Sequence, residues 1–217
     1  MKQTTRWFAA VALLFVGVAT VAVGQVSTPG RGTIEYFEGD VRMNGVPVDF
    51  GQTVGQGDWI QTGPGARVEV VFDRANVFQL GENTVAVIEL SQSAQRVDLK
   101  TGSFAAVFDR VRTLAGRGSF EIRSPTTAGG VRGTSFFFRV LDRDTTYVCT
   151  CNGSLHLSPF GGESFLESAV AHSAYYFRRD GTLVTVEQAP EIFHSTDSLN
   201  RLAALIEVEI PWGRLPE

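Results

Sequence analysis

Three things are missing from this chain, and each absence narrows what it can do. No nucleophile elbow, phosphate loop or dinucleotide fingerprint occurs, and the glycine-rich stretches lack the strand–loop–helix setting that gives such motifs meaning. Paired carboxylates are scattered, so the chain does not read as an enzyme. There is no excess of positive charge: the net is −4 over 217 residues. A phosphate-binding surface needs basic density, so nucleic acid is not an expected partner, and the pairs Arg110/Arg112 and Arg178/Arg179 read as solvated faces. Finally, methionine is scarce, with two residues against 23 glycines. That balance favours many turns over long helices, and 43% apolar content is enough to fill a core. All-β is the expectation.

The single long apolar run lies at the N-terminus. Lys2 and Arg6 precede Trp7–Val23, and Ala22-Val23-Gly24 offers small residues before Gln25, the layout of a secretory signal over residues 1–24. The run approaches the ~20 residues that span a bilayer, so anchoring through residues 7–23 is the alternative to cleavage. Either way the rest of the chain is expected outside the cytoplasm, in the periplasm or cell envelope. Removing residues 1–24 takes away Lys2 and Arg6 and no acid, leaving 17 basic against 23 acidic residues, a net of −6.

From Ile34 to Leu157 short strands alternate with turn signals at Asn44-Gly45, Gly63-Pro64-Gly65, Asp73–Asn76 and Asn152-Gly153. In Arg67-Val68-Glu69-Val70 the two-residue period turns Val68, Val70 and Phe72 inward and leaves Arg67 and Glu69 to water. The same reading puts Val85, Val87 and Leu90 near a core. A further turn is expected from Ser124, Pro125, Gly129 and Gly130, ahead of the pleating stretch Ser135–Val140. Residues 158–217 read as a C-terminal extension with a strand at Thr182–Val186. Its helix near 196–208 is capped by Ser195-Thr196-Asp197 and carries the stripe Leu199, Leu202, Ala203, Ile206. Fourteen residues hold no core of their own, so this helix should pack on the β body.

Residues 119–140, SFEIRSPTTAGGVRGTSFFFRV, resemble the TP…VRGT.F.V stretch of FecR-like domains. The segments EGDV (38–41), GDWIQTGPGARV (57–68), LGENT (80–84) and LKTG (99–102) fall in that family's order, and the resemblance covers residues 34–157. It implies an extracytoplasmic β domain of stacked short strands, a sandwich, roll or solenoid-like body. It also implies a signalling role through contact with other envelope proteins. Relatives of this kind carry a cytoplasmic anti-sigma segment before a membrane helix, whereas six residues precede the apolar run here. A stand-alone envelope binding or regulatory module is therefore expected, with a structural envelope component as an alternative. Within the motif, Arg132, Gly133 and Thr134 read as markers of the fold, Gly133 for backbone freedom and Thr134 as a strand residue.

One constellation does suggest chemistry. Every cysteine and histidine lies between 149 and 194: Cys149, Cys151, His156, His172 and His194. If Asn152-Gly153 makes a two-residue hairpin, Cys149 faces His156 across it and Cys151 shares their face, away from Val148, Thr150, Leu155 and Leu157. Two thiols and an imidazole suit zinc, copper or haem, with His172 or His194 completing the set. This makes a metal- or haem-binding periplasmic protein the second functional expectation. The competing readings are buried packing cysteines, or a disulfide that adjacent same-face residues of one strand would have to distort to form.

Overall fold

The computed structural model describes residues 31–90, 95–109 and 120–216, except the side chains of residues 132–134. The export segment 1–24 lies outside the described residues, as do the side chains of Arg132, Gly133 and Thr134. Among the described residues no helix is long and apolar enough to cross a membrane.

Strands come in quick succession: β1 (Gly32–Glu38), β2 (Val41–Met43), β3 (Val46–Pro47), β4 (Thr53–Val54), β5 (Asp58–Thr62), β6 (Arg67–Phe72), β7 (Asn76–Leu80) and β8 (Val85–Leu90). Three long strands follow, β9 (Gln95–Phe108), β11 (Thr127–Asp142) and β12 (Thr145–Pro159), with the short β10 (Phe120–Arg123) between the first two. Then come β13 (Phe165–Ala169), β14 (Ser173–Asp180), β15 (Leu183–Ala189) and, alone of its kind among the described residues, the helix α1 (Thr196–Ala204). The chain is all-β, as its turn-rich text implies.

The long strands make the architecture by passing from one layer to the other. The first half of β9 lies between β8 and the parallel β10, and its second half between β7 and β11. In β11, residues 128–130 pair with β10 and residues 135–140 with β9, with register shifts between. β12 follows β11 throughout and pairs with β14 through residues 145–150 and with β13 through 153–157. One layer therefore runs β3-β2-β5-β8-β9-β10-β11-β12-β13, and the other β4-β1-β6-β7-β9-β11-β12-β14-β15. The bend of β9 falls at Gly102, where φ is +79° and a Cβ would lie 2.4 Å from Thr84 Cα. Only glycine fits there. The corner is tied by Thr84, whose N–H donates to Thr62 Oγ1 and whose Oγ1 accepts from the Ser103 N–H. Thus the segments GDWIQTG, LGENT and LKTG meet at one joint, and their role is architectural.

Between the layers lies the main core. Phe72, Phe78, Phe104, Phe108, Phe120 and Phe136 interlock there, Phe108 and Phe136 nearly parallel at 5.6 Å between centroids. Val68, Val70 and Phe72 face it. On β8 Leu90 is buried as expected, but the phase at Val85 and Val87 is reversed: Ala86 and Ile88 are buried while those two valines are half-exposed. Gly129 and Gly130 belong to β11 and not to a turn. The turn is Ser124–Thr126, held by the Thr127 N–H on Ser124 Oγ, and a Cβ on Gly129 would meet the Phe138 ring at 2.9 Å.

A second, smaller core covers the outer face of the second layer. Val77, Ala105, Val107, Phe137, Tyr147, Cys149, Cys151 and Ala174 point outward there and are roofed by Leu199, Leu202 and Ala203 of α1 and by Ile210. Alternation along β9, β11 and β12 sends each neighbouring residue to the opposite core. The helix begins with a capping box between Ser195 and Ser198 and ends at Ala204, four residues short of the expected span. Glu69, expected in water, is 5% exposed, because this outer face is covered too.

Candidate functional site

The cysteines sit on the outer face of β12 because Tyr147, Cys149 and Cys151 alternate with Val148 and Thr150. The expected hairpin at Asn152-Gly153 does not form. β12 runs straight through it, with Gly153 at φ +114° and Cys151 unpaired in the register where Ser135 faces Asn152 and Phe136 faces Thr150. The pair marks a bulge, and Asn152 has other work: its Nδ2 donates to the carbonyls of Val170, Pro211 and Arg214. Because the strand continues, His156 is carried five residues beyond Cys151, about 16 Å along it. There it is exposed, on the side away from Leu155 and Leu157. It is no neighbour of the thiols.

His172 and His194 arrive instead. His172 stands in the turn before β14 with φ +28°, and its N–H donates to the Cys151 carbonyl at 2.9 Å. His194 follows β15, in a segment clamped by Tyr147, whose hydroxyl donates to the Pro190 carbonyl and accepts from the Ile192 N–H. One donor atom from each of Cys149, Cys151, His172 and His194 lies within 4.8 Å of all the others. Sγ to Sγ is 3.5 Å, Cys151 Sγ to His194 Nε2 3.2 Å, Cys149 Sγ to His172 Nδ1 3.7 Å, and His194 Nε2 to His172 Nδ1 3.3 Å. The outward nitrogens are engaged as well. His194 Nδ1 donates to the Ile192 carbonyl at 3.0 Å, and His172 Nε2 lies 3.3 Å from Glu191 Oε1 and 2.9 Å from Thr196 Oγ1. Phe137 stacks on His194 at 4.5 Å and Trp212 on His172 at 5.1 Å.

Both cysteines are fully buried and free. The hydrogen bond from the Cys151 thiol carries Cys149 below the ordinary thiol range against the opposing effect of burial, with both imidazoles helping. Burial and the neighbouring sulfur push Cys151 up. Burial works against a charged His172, yet its contacts with Cys149 leave it above its usual value. Two sulfurs beside two imidazoles are a soft donor set, of the kind that zinc or copper(I) prefers. The outer partners Glu191, Thr196 and the Ile192 carbonyl carried no signal in the sequence beyond their closeness to His194.

The fold around this cluster has known relatives. Residues 58–155 match the family model described as FecR protein, inside the 34–157 stretch of resemblance, and this match is consistent with a FecR-like domain. Two crystal structures, at 1.65 and 2.50 Å, of an inferred anti-sigma factor from Parabacteroides distasonis ATCC 8503 share the fold. Each has a TM-score of 0.50 and 13% identity over 68% of this chain, and the likeness spans 64% and 63% of those chains. No curated protein matches.

Proposed function

We propose that the protein is a regulatory signalling module that works in the cell envelope by contact with another protein. The observation that carries this reading is the FecR-like domain over residues 58–155. The anti-sigma description of the structural neighbours agrees with it, as does the Lys2/Arg6, Trp7–Val23 and Gly24 leader. Catalysis is no part of the proposal, and the phenylalanine core and threonine-tied corner serve as scaffold. An envelope receptor, or a regulator that controls a sigma factor, is the class of partner.

Fractionation of cells producing the tagged full chain tests the location. Intact mass should begin at or near Gln25, or show an uncleaved amphiphile in the membrane fraction; a soluble cytoplasmic protein starting at Met1 would overturn the envelope reading. Deleting the gene should change the transcript level of a defined gene set, with restoration on complementation. An unchanged transcript profile would leave a structural envelope component as the better account.

A further inference from the structure

We propose that Cys149, Cys151, His172 and His194 form a closed tetrahedral site for one divalent zinc-class ion, and that this ion clips the C-terminal segment onto the outer face of the sheet. With metal–sulfur bonds of about 2.3 Å and metal–nitrogen bonds of about 2.0–2.1 Å, a tetrahedron has S···S of about 3.8 Å, S···N of about 3.5 Å and N···N of about 3.4 Å. The corresponding separations in the protein are 3.5 Å, 3.2 and 3.7 Å, and 3.3 Å. These four of the six edges are within about 0.3 Å of the lengths such an ion imposes, and the remaining two sulfur–nitrogen separations lie within 4.8 Å.

The imidazoles supply an independent argument. The Ile192 carbonyl offers only an acceptor, so the His194 ring proton belongs on Nδ1; beside the Glu191 carboxylate and the Thr196 hydroxyl, which can accept as well as donate, the outward Nε2 of His172 can carry its proton too. The inward Nδ1 and Nε2 then present lone pairs to each other at 3.3 Å. Without an ion, that contact needs an added proton on one ring to bridge it. A cation between them makes it attractive, and outward hydrogen bonds to carboxylate and carbonyl are the usual second support of metal-bound histidine.

Charge decides the class of ion. A divalent cation with two thiolates is neutral, which suits a site whose sulfurs are fully buried. Copper(I) would leave one net negative charge there. Calcium and magnesium require oxygen donors, and the four atoms are nitrogen and sulfur. With four protein ligands no coordination position is open, so the role is structural. The ligands come from β12, from the turn before β14 and from the segment after β15. The ion would therefore tie residues 190–194, and α1 behind them, to the sheet. This inference stands apart from the regulatory reading and survives its failure.

The test uses the reduced full chain, stripped with chelator and titrated first with cobalt(II). Intense visible ligand-field bands and a thiolate-to-cobalt charge-transfer band should saturate at one equivalent and be displaced by one equivalent of zinc. Zinc should raise the melting temperature, and removing it should increase hydrogen exchange in residues 190–212 well before the sheet. Cys149→Ser and His194→Ala should each lose stoichiometric binding, Glu191→Gln should weaken it by about 10–100-fold, and His156→Ala should leave it unchanged. Weak octahedral cobalt spectra with wild-type protein would overturn the proposal, whatever the variants do. So would wild-type affinity in His194→Ala, or envelope-purified protein two hydrogens lighter with Cys149 joined to Cys151.

Discussion

Phe136 and Phe137 are neighbours on one strand, yet they serve two cores of different kinds. Phe136 enters the space between the layers, where Phe104, Phe108 and Phe138 meet it and both walls are sheet. Phe137 enters the outer cluster, where His194 and Tyr147 meet it and one wall is a chain segment. The inner core is held chiefly by apolar area. The outer one uses smaller residues and needs polar fastenings, at Tyr147, Asn152 and the cysteine–histidine group, to hold its cover in place.

Phe136→Ala should consequently cost the most, about 3–5 kcal/mol, because the surrounding strands cannot close over the cavity. Phe137→Ala should cost about 2–3 kcal/mol, since the covering segment can settle inward. Urea denaturation measures both. Equal losses would break the distinction between the two cores.

Tyr147→Phe keeps the ring and removes the clamp, leaving the Pro190 carbonyl and the Ile192 N–H without their partner. Pro190 is exposed and Ile192 half-buried, so the cost should fall at or below the lower end of the ~1–3 kcal/mol of a stranded buried group. The signature should be local: faster hydrogen exchange around 190–194, with the amides of β9 and β11 unaltered. Faster exchange throughout the sheet would mean that the cover is integral to the main fold. Ser195→Ala removes the helix cap, and about 1 kcal/mol of stability should go with it.

The difference between the cores also explains what could be read from the sequence. Inner-core alternation was plain in Val68, Val70 and Phe72, because apolar residues at a two-residue period need only a flat partner. It slipped on β8, where Val85 and Val87 are as apolar as Ala86 and Ile88 and local pattern cannot choose the phase. The outer core was nearly invisible, since its cover is brought in from residues 190–212. Strand period alone therefore turns Glu69 to water, whereas the cover buries it. The cysteine–histidine group was legible in membership, with His156 as the error, but not in assembly. Asn152-Gly153 carries the strongest local hairpin signal, and the long pairing of β11 with β12 overrides it. The segments resembling FecR-like domains were legible as motifs, and the joint of Thr62, Thr84 and Gly102 shows that they encode a corner.

The smallest effect concerns Glu69, a carboxylate at the rim of the outer cover. Burial is the largest influence and raises its pKa; Arg67, 3.8 Å away, and Arg201 on α1 pull it down, while Glu38 adds to the rise. The net is upward. An acid whose folded pKa exceeds its unfolded one favours the folded state when protonated. That contribution is complete below the ordinary carboxylate pKa and is lost as pH rises through the higher folded value. At neutral pH ionised Glu69 is thus a small net cost, and Glu69→Gln should melt slightly higher than wild type, by less than the ~1 kcal/mol of the helix cap. The gap should close as pH falls through the carboxylate range. Melting curves of both proteins across that range check the sign. A Glu69→Gln variant that melts lower at neutral pH would show that the attraction of Arg67 and Arg201 outweighs burial, and that the outer cover is held on by charge as well as by packing.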